Sequence, residues 1–200
     1  MSGTFPSTPA PTSIEVQSME PNLVSVANNL RRQVRSRGGQ RWFFKVVFPP
    51  LTRADLSSIF AFSVAQKGQY ETFTWVPTTI GTTRGSSSES PVVMGALAAG
   101  VTTGTVDGLT ASTSNILRSG DFIKFSGHSK VYMVTSDMSS NGSGQATLNF
   151  SPKLTTAVAD NETLTISSVP FQVAFANDER HYITDASGYY TYEIDLVEVP

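Results

Sequence analysis

Residues 42–48 read WFFKVVF, an apolar run of aromatic and β-branched side chains that favours a central β-strand. The two prolines at 49–50 end this strand, because proline has no backbone N–H to donate to a sheet. Residues 70–76 (YETFTWV) alternate in character and predict a second strand, which Pro77 ends. The sequence therefore predicts two strands with about twenty residues between them.

A helix is predicted between these two strands, over about residues 52–67. Thr52 stands three residues before Asp55, a spacing that resembles a capping box at a helix start. Gly68 is suited to the left-handed conformation that often follows a helix end. Side chains at helical spacing indicate one apolar face, formed by Leu56, Ile59, Phe60, Ser63 and Val64.

The segments before residue 42 carry weaker signals. Residues 13–17 (SIEVQ) alternate and predict a short strand, and residues 24–26 suggest another. Residues 33–39 are polar and basic and end in two glycines, so we predict a loop there. Residues 1–12 are rich in Pro, Ser and Thr and predict a flexible or extended arm that could order on an adjacent subunit.

A different texture begins near residue 85, where helical periodicity disappears. Short β segments lie about ten residues apart, which predicts a small antiparallel barrel or sandwich. The segments are residues 92–94, 101–106, 122–125, 130–135, 146–150 and 163–166. Residues 139–144 (SSNGSG) predict a hairpin loop, and residues 78–91 read as a Gly/Ser/Thr linker leading into this region.

Two more strands are predicted at the end of the chain, at residues 171–175 and 189–199. The N-terminal unit has too few strands for a stable sheet, so we expect the C-terminal strands to complete it. The predicted protein is mainly β: an arm at residues 1–12, a discontinuous β-sandwich core with one flanking helix made of residues 13–84 and 170–200, and an inserted β module at residues 85–169.

Composition excludes several classes of protein. Only 15% of the 200 residues are charged and the net charge is −2, which argues against a coiled coil, a charge-rich disordered chain and a polybasic nucleic-acid binder. The chain has no cysteine, which excludes disulfides and thiolate metal ligands. We expect no membrane insertion and synthesis in the cytoplasm, because neither a long apolar run nor a secretory leader pattern is visible.

The charges are nevertheless unevenly distributed. Residues 21–70 hold eight basic residues and one acidic residue, whereas residues 151–200 hold two basic and eight acidic residues. Such segments can attract each other within a chain or between neighbouring copies, although they can also be unrelated solvated patches. The candidate interface residues are Arg31, Arg32, Arg35, Arg37 and Arg41 on one side, and Asp178, Glu179, Glu193, Asp195 and Glu198 on the other. We expect the last three to lie on the wet side of the final strand.

No catalytic, cofactor-binding or metal-binding residue is predicted. We expect His128 to be a loop residue in a turn between strands and His181 to lie in a solvated turn, since neither belongs to a recognisable ligand cluster. The sequence contains neither a nucleophile elbow nor a phosphate-binding glycine loop. The arginines at 31–41 could contact phosphate, but the aromatic residues after them resemble core, so we expect no stable nucleic-acid binding.

Several runs resemble the distal tail (baseplate hub) and other minor tail proteins of tailed bacteriophages. The N-terminal runs are GQRWFFKVVFPP at residues 39–50, LTRADL at residues 51–56 and FSVAQKGQYETF at residues 62–73. In the inserted region they are LRSGDFIKFSGHSKVYMVT at residues 117–135 and NGSGQATL at residues 141–148. The resemblance covers roughly residues 13–150.

This resemblance implies a tail-tube-like β-sandwich with one helix, in a structural protein of the virion without catalytic residues. Such proteins form a ring, often a hexamer, which continues the tail lumen and holds baseplate or receptor-binding components. The implied partners are further copies of the chain, the tail tube, the hub and receptor-binding or fibre proteins. The chain departs from the fuller family pattern because no large C-terminal carrier domain is evident.

Alternative functions also fit the sequence. A carbohydrate-binding module could stack sugar rings on an exposed Tyr132 or on Tyr189, Tyr190 and Tyr192. The ring could also be a head–tail or tail adaptor. A hydrolase, such as a cell-wall enzyme, has the least support because the sequence offers no evident acid/base pair or metal cluster.

Overall fold

The computed structural model describes residues 3–86 and 89–200. Within that part of the chain the elements are β1 Ser13–Met19, β2 Asn22–Val26, β3 Arg32–Ser36, β4 Arg41–Val47, α1 Arg53–Ala65, β5 Phe73–Trp75, β6 Val92–Val93, β7 Thr103–Asp107, β8 Phe122–Phe125, β9 Tyr132–Val134, β10 Ala146–Ser151, β11 Leu164–Thr165, β12 Phe171–Phe175, β13 Ile183–Thr184, β14 Tyr190–Thr191 and β15 Glu193–Glu198. The prediction of a mainly β protein with one helix is confirmed.

The chain forms two compact units. One, the terminal unit, consists of Thr8–Thr72 and Ala174–Val199. The other, the barrel unit, consists of the N-terminal residues as far as Ser7, Phe73–Val173 and Pro200. Strand β12 begins in the barrel unit and ends in the terminal unit, so the chain passes from one to the other within a strand.

The sheet of the terminal unit is built around β4. This strand pairs antiparallel with β1 on one side and with β15 on the other. Trp42, Phe44 and Val46 are buried at alternate positions, as expected for a pleated strand with one face on the core. Both the predicted central strand and its completion by the C-terminal strand are confirmed.

Helix α1 begins where the sequence predicts. The Thr52 Oγ1 accepts a hydrogen bond from the Asp55 backbone N–H at 3.3 Å and donates one to Asp55 Oδ2 at 2.7 Å. Leu56, Ile59 and Ser63 face the core. Val64, which the sequence places on the same apolar face, is 54% exposed. The buried stripe is narrower than the apolar stripe of the sequence.

The helix ends in two residues with left-handed backbone. Lys67 has φ 56° and Gly68 has φ 68°, so the left-handed segment begins one residue before the predicted glycine. A Cβ on Gly68 would lie 2.5 Å from Asp178 Oδ1. Glycine is therefore required at position 68 both by conformation and by space.

The barrel unit contains a nearly closed sheet in the order β11-β8-β9-β10-β7-β6. Strand β6 stands at one end of this order and β11 at the other. An isolated bridge joins Val92 of β6 to Thr163, the residue before β11. The bounds of the strands predicted within residues 85–169 lie within one or two residues of the observed bounds, as β8 illustrates at Phe122–Phe125. In the same unit, β5 pairs with the first residues of β12.

A single apolar cluster fills this barrel. Its largest members are the rings of Phe125, Tyr132 and Phe150, whose centroids lie 5.5–5.7 Å apart in edge-to-face contacts. The other buried members are Val93, Val106, Leu109, Ile116, Leu117, Ile123, Val134, Met138, Ala146, Leu148, Leu154, Val158, Leu164 and Ile166. The barrel unit thus buries its own hydrophobic surface within one chain.

The predicted loop at residues 33–39 is wrong, because most of it belongs to β3. Strands β2 and β3 form a separate antiparallel hairpin, with Val24 opposite Val34 and Val26 opposite Arg32. Every residue of both strands is exposed. Since neither face is buried, the strands lack the apolar/polar alternation by which a strand is recognised in a sequence.

Two other predicted strands differ from the structure. The segment at 70–76 is a strand only at Phe73–Trp75. The segment at 189–199 is divided into β14 and β15, with the buried Tyr192 between them. Strand β14 pairs with β13 in a short hairpin, whereas β15 pairs with β4. Residues 189–199 therefore contribute strands to two different sheets.

Candidate assembly surfaces

Strands β2 and β3 and the turn between them form a hairpin over residues 22–36. Three of the five candidate arginines lie in this hairpin, and Arg37 follows it directly. Arg31, Arg32, Arg35 and Arg37 are all exposed. The part of the chain that the structure describes offers these four guanidinium groups no ion pair. Arg41, also exposed, lies instead at the start of β4. We call residues 22–37 the basic hairpin.

The basic hairpin also exposes an unusual amount of apolar surface. Val24 and Val34 are opposite each other in the register, so their side chains lie on the same face. Val26 shares that face at i+2, and Leu23 lies on the other. The exposed fractions are Leu23 49%, Val24 54%, Val26 59%, Leu30 84% and Val34 49%. Leu30 sits in the turn with φ 63°.

The acidic candidates lie in three environments: Glu193 and Asp195 on the exposed face of β15, Asp178 and Glu179 in the loop after β12, and Glu198 in the core. Glu193 Oε2 lies 3.3 Å from Lys45 Nζ in an exposed ion pair, and Asp195 is opposite Lys45 in the register. Asp178 Oδ1 accepts a hydrogen bond from the Gln69 backbone N–H at 3.0 Å, just beyond the end of α1. Glu179 beside it is exposed.

Glu198 is placed differently from the sequence prediction. It is fully buried, and its Oε2 accepts a hydrogen bond from the Trp42 backbone N–H at 3.3 Å. Its position in β15 has the parity of Ile194 and Leu196, which both point into the core. The expectation that Glu198 lies on the wet side is therefore wrong, and a buried carboxylate cannot contact another subunit.

Next to Asp178 lies an exposed apolar cluster that the sequence analysis missed. Phe60 of α1 packs edge-to-face against Tyr182, with ring centroids 5.1 Å apart. Val64 is one helical turn beyond Phe60 and is exposed. Tyr182 is 44% and Ile183 65% exposed. The only signal for this cluster is the surplus of apolar residues on α1 beyond those its core contacts need.

Arg180 is held within its own loop. Its guanidinium lies 3.7 Å from the centroid of the Phe175 ring and donates hydrogen bonds to Asn177 and to the Glu179 carbonyl. Burial lowers the pKa of Arg180, while the neighbouring Tyr192 and acidic groups act in the opposite direction. This loop therefore presents its carboxylates outward on a fixed backbone.

His128 lies in the turn region between β8 and β9, as predicted, but it is not exposed to solvent. It is buried, with Nδ1 3.0 Å from the Tyr132 hydroxyl and Nε2 3.0 Å from Thr156 Oγ1. His181 is exposed, as predicted. The difference arises because the turn that carries His128 folds back over the barrel core, where Phe125 packs against the imidazole.

Tyr132 is completely buried, so the expectation of an exposed ring there is wrong. Phe122, Phe125 and Phe150 are buried as well. No aromatic side chain of residues 79–86 and 89–169 is exposed, which leaves that stretch without a stacking platform for sugars. Tyr189 is half exposed and Tyr192 is buried, so the C-terminal tyrosines do not form a row on one surface.

A buried carboxylate anchors the predicted linker, a contact that the sequence analysis missed. Asp121 accepts hydrogen bonds from the backbone N–H groups of Arg84 and Arg118, at 3.1 and 2.9 Å, and from the Thr83 hydroxyl at 2.6 Å. Burial alone raises the pKa of Asp121, but these hydrogen bonds outweigh it and lower the pKa below 3.8. Residues 83 and 84 are thus fixed to the barrel, whereas Ser87 and Ser88 lie outside the described residues.

The N-terminal arm is likewise anchored within the chain. Phe5 is buried and stacks on Phe73 with ring centroids 5.9 Å apart. Its backbone N–H donates to the Thr74 carbonyl at 2.8 Å, and Thr4 forms a parallel bridge with Thr74. Residues 4 and 5 are therefore paired along β5 within the chain. The lone aromatic residue in a Pro/Ser/Thr-rich stretch was the available signal.

Metal clusters and membrane-spanning helices are features of other classes of protein. Within residues 3–86 and 89–200, no group of three or more histidine or carboxylate side chains is arranged to hold a metal ion. No helix in that same part of the chain has the length and apolarity needed to span a membrane.

The fold is that of a β-rich protein with a self-contained barrel and an exposed basic hairpin. Residues 79–169 match the family model described as the B domain of distal tail protein pb9. No curated protein matches the sequence. The match covers the barrel and confirms the resemblance to phage distal tail proteins. The protein accordingly has a structural role in the phage tail, and its place is the tail of the virion.

Proposed function

We propose that copies of this protein form a closed ring, a hexamer, at the distal end of the tail. The ring continues the lumen and docks baseplate or receptor-binding components. One observation carries the proposal: the basic hairpin and the acidic loop at Asp178 and Glu179 are oppositely charged, exposed and unpaired with each other within the described residues. A contact between two different surfaces of identical chains closes into a ring when the rotation allows it.

The candidate interface residues enter this proposal in two groups. Arg31, Arg32, Arg35, Arg37 and Arg41 form the basic side, and Asp178, Glu179 and Asp195 form the acidic side. Glu193 is already engaged by Lys45 in an exposed pair, which an incoming arginine could replace. Guanidinium groups favour carboxylate partners because two N–H groups can bind both oxygens.

We also propose that residues 85–169 are an insertion in a ring-forming core made of residues 13–84 and 170–200. The Val169 backbone N–H donates to the Gly81 carbonyl at 3.0 Å, so the inserted segment leaves and returns at neighbouring points. A chain in which a short linker replaces residues 85–168 is expected to fold and to assemble like the full chain. Failure of that shortened chain to assemble would contradict the division of roles.

Native mass spectrometry of the purified full chain tests the ring. The expected result is one closed species at six times the 21.5 kDa chain mass, which dissociates as salt is raised because exposed ion pairs are screened. A monomer at every concentration, or a single folded copy in intact particles, would contradict it. A cryo-EM map of the particle would identify the neighbouring tube, hub or fibre proteins.

A further inference from the structure

We propose that the basic hairpin of one copy docks on a specific patch of the next copy, formed by Val64, Asp178, Glu179, Tyr182 and Ile183. We call these five residues the receiving patch. This inference rests on the proposed ring and names the two surfaces that join it. Both surfaces belong to the terminal unit, so the joint needs nothing from the barrel unit.

Within the described residues, no other part of the chain covers either face of the basic hairpin. An isolated two-stranded hairpin is at best marginally stable in water, because it buries too little surface to offset the lost chain entropy. Here both faces of β2 and β3 are exposed, and the hairpin still carries Val24, Val26 and Val34 on one face. Contiguous exposed apolar surface of this kind marks an interaction site.

The second argument is apolar complementarity. In the receiving patch, Tyr182 is exposed and packs against the Phe60 ring. Val64, one helical turn beyond Phe60, and Ile183, the residue after Tyr182, are exposed as well. A valine-rich strand face laid on this cluster would cover apolar surface on both partners. Aromatic residues at the centre of an interface, with polar groups at the rim, are the usual arrangement of protein–protein contacts.

The third argument is charge complementarity at the rim. Arg32 is opposite Val26 in the register and so lies on the apolar face of the hairpin, and Arg31 precedes it, whereas Asp178 and Glu179 belong to the receiving patch. The Asp178 carboxylate is held in place by the Gln69 N–H, and the guanidinium of Arg180 is occupied within its own loop. The receiving patch therefore offers carboxylates on a fixed backbone. A second copy of this chain supplies both the charge and the apolar surface that each side lacks.

Cysteine crosslinking tests this joint directly, because the natural chain has no cysteine to interfere. Full-length Val24→Cys and Ile183→Cys single variants are mixed and oxidised. The expected product is a crosslinked dimer that forms only in the mixture, since each variant alone presents its thiol to a surface without one. A control mixture with Ser57→Cys, on the exposed outer side of α1, should give none.

Charge reversal separates this inference from the ring itself. Arg32→Glu, on the docking face of the hairpin, is expected to weaken association by about tenfold or more, because it removes one ion pair and places like charges together. The double variant Arg32→Glu/Glu179→Arg should recover much of that loss. Arg53→Glu, an equal charge change at the exposed start of α1, is the matched control and should assemble normally.

The outcomes are distinct. If the unaltered chain is monomeric at all concentrations, both the ring and this joint are wrong. If it forms a ring but the Val24→Cys and Ile183→Cys mixture gives no crosslink, and Arg32→Glu assembles like the control, the ring stands and the joint is wrong. That result would assign the hairpin to a different protein of the tail.

Discussion

Apolar side chains are buried in the barrel but exposed in the basic hairpin. In the barrel, seventeen residues form a buried cluster and most are less than 3% exposed. In the hairpin, Val24, Val26 and Val34 are each about half exposed, although every residue of β2 is paired with a residue of β3. Backbone pairing alone therefore does not explain the hairpin. The barrel is complete within one chain, whereas the hairpin is complete only if another surface covers it.

The largest expected effect tests this contrast through side-chain truncation. Phe150→Ala removes a ring from the barrel core and should lower the free energy of unfolding by about 3–5 kcal/mol. Val24→Ala, made in the hairpin, should change it by no more than about 0.5 kcal/mol in the dissociated chain. Urea denaturation of both variants measures the difference. Equal losses would mean that the hairpin is part of a folded core.

The next effect concerns the connection into the barrel. Asp121→Asn replaces a charged acceptor of three or more hydrogen bonds and should cost about 2 kcal/mol. Because the folded-state pKa of Asp121 lies below 3.8, its contribution is present above that pH and is lost as the pH falls through the folded-state value. Thermal unfolding of both proteins between pH 7 and pH 2 should converge at the acid end. A constant gap over the whole range would contradict this role.

A smaller effect is expected at the start of α1, which supports one edge of the receiving patch. Thr52→Ala removes the side chain that accepts the Asp55 N–H and should cost about 1 kcal/mol. Thr52→Ser keeps the hydroxyl and serves as the control. The two variants are compared by chemical denaturation. If the alanine and serine variants are equally stable, the cap contributes nothing.

The smallest effect is expected for the exposed pair of Lys45 and Glu193. A double-mutant cycle with Lys45→Ala and Glu193→Ala should give a coupling of about 0.2–1 kcal/mol, because both groups are half exposed and solvent screens them. A coupling well above this range would show that the outer face of the sheet behaves as a buried site. In that case charge alone would not distinguish the hairpin from the sheet.

Sequence reasoning succeeded where one face of an element is buried. Strand β4 and the barrel strands were predictable because their apolar side chains recur with the period of a pleated strand. Helix α1 was predictable from the Thr52 cap, which acts locally. In these segments the local pattern and the tertiary contacts favour the same structure.

The failures have specific physical causes. Strand β3 was missed because it buries neither face, and so has no period to detect. The burial of Glu198 could have been predicted from its parity with Ile194 and Leu196 in β15. The burial of Phe5, Asp121 and His128 depends on contacts far away in the sequence, which no local pattern encodes. The receiving patch was missed for the same reason, since its members come from separate segments.

The most direct test of the central claim is amide hydrogen exchange of residues 22–36 in the full chain, assembled and dissociated. We predict that these amides exchange rapidly in the dissociated chain and become protected in the ring, while the amides of β8, β9 and β10 are protected equally in both. Hairpin amides as strongly protected as the barrel amides in the dissociated chain would contradict it.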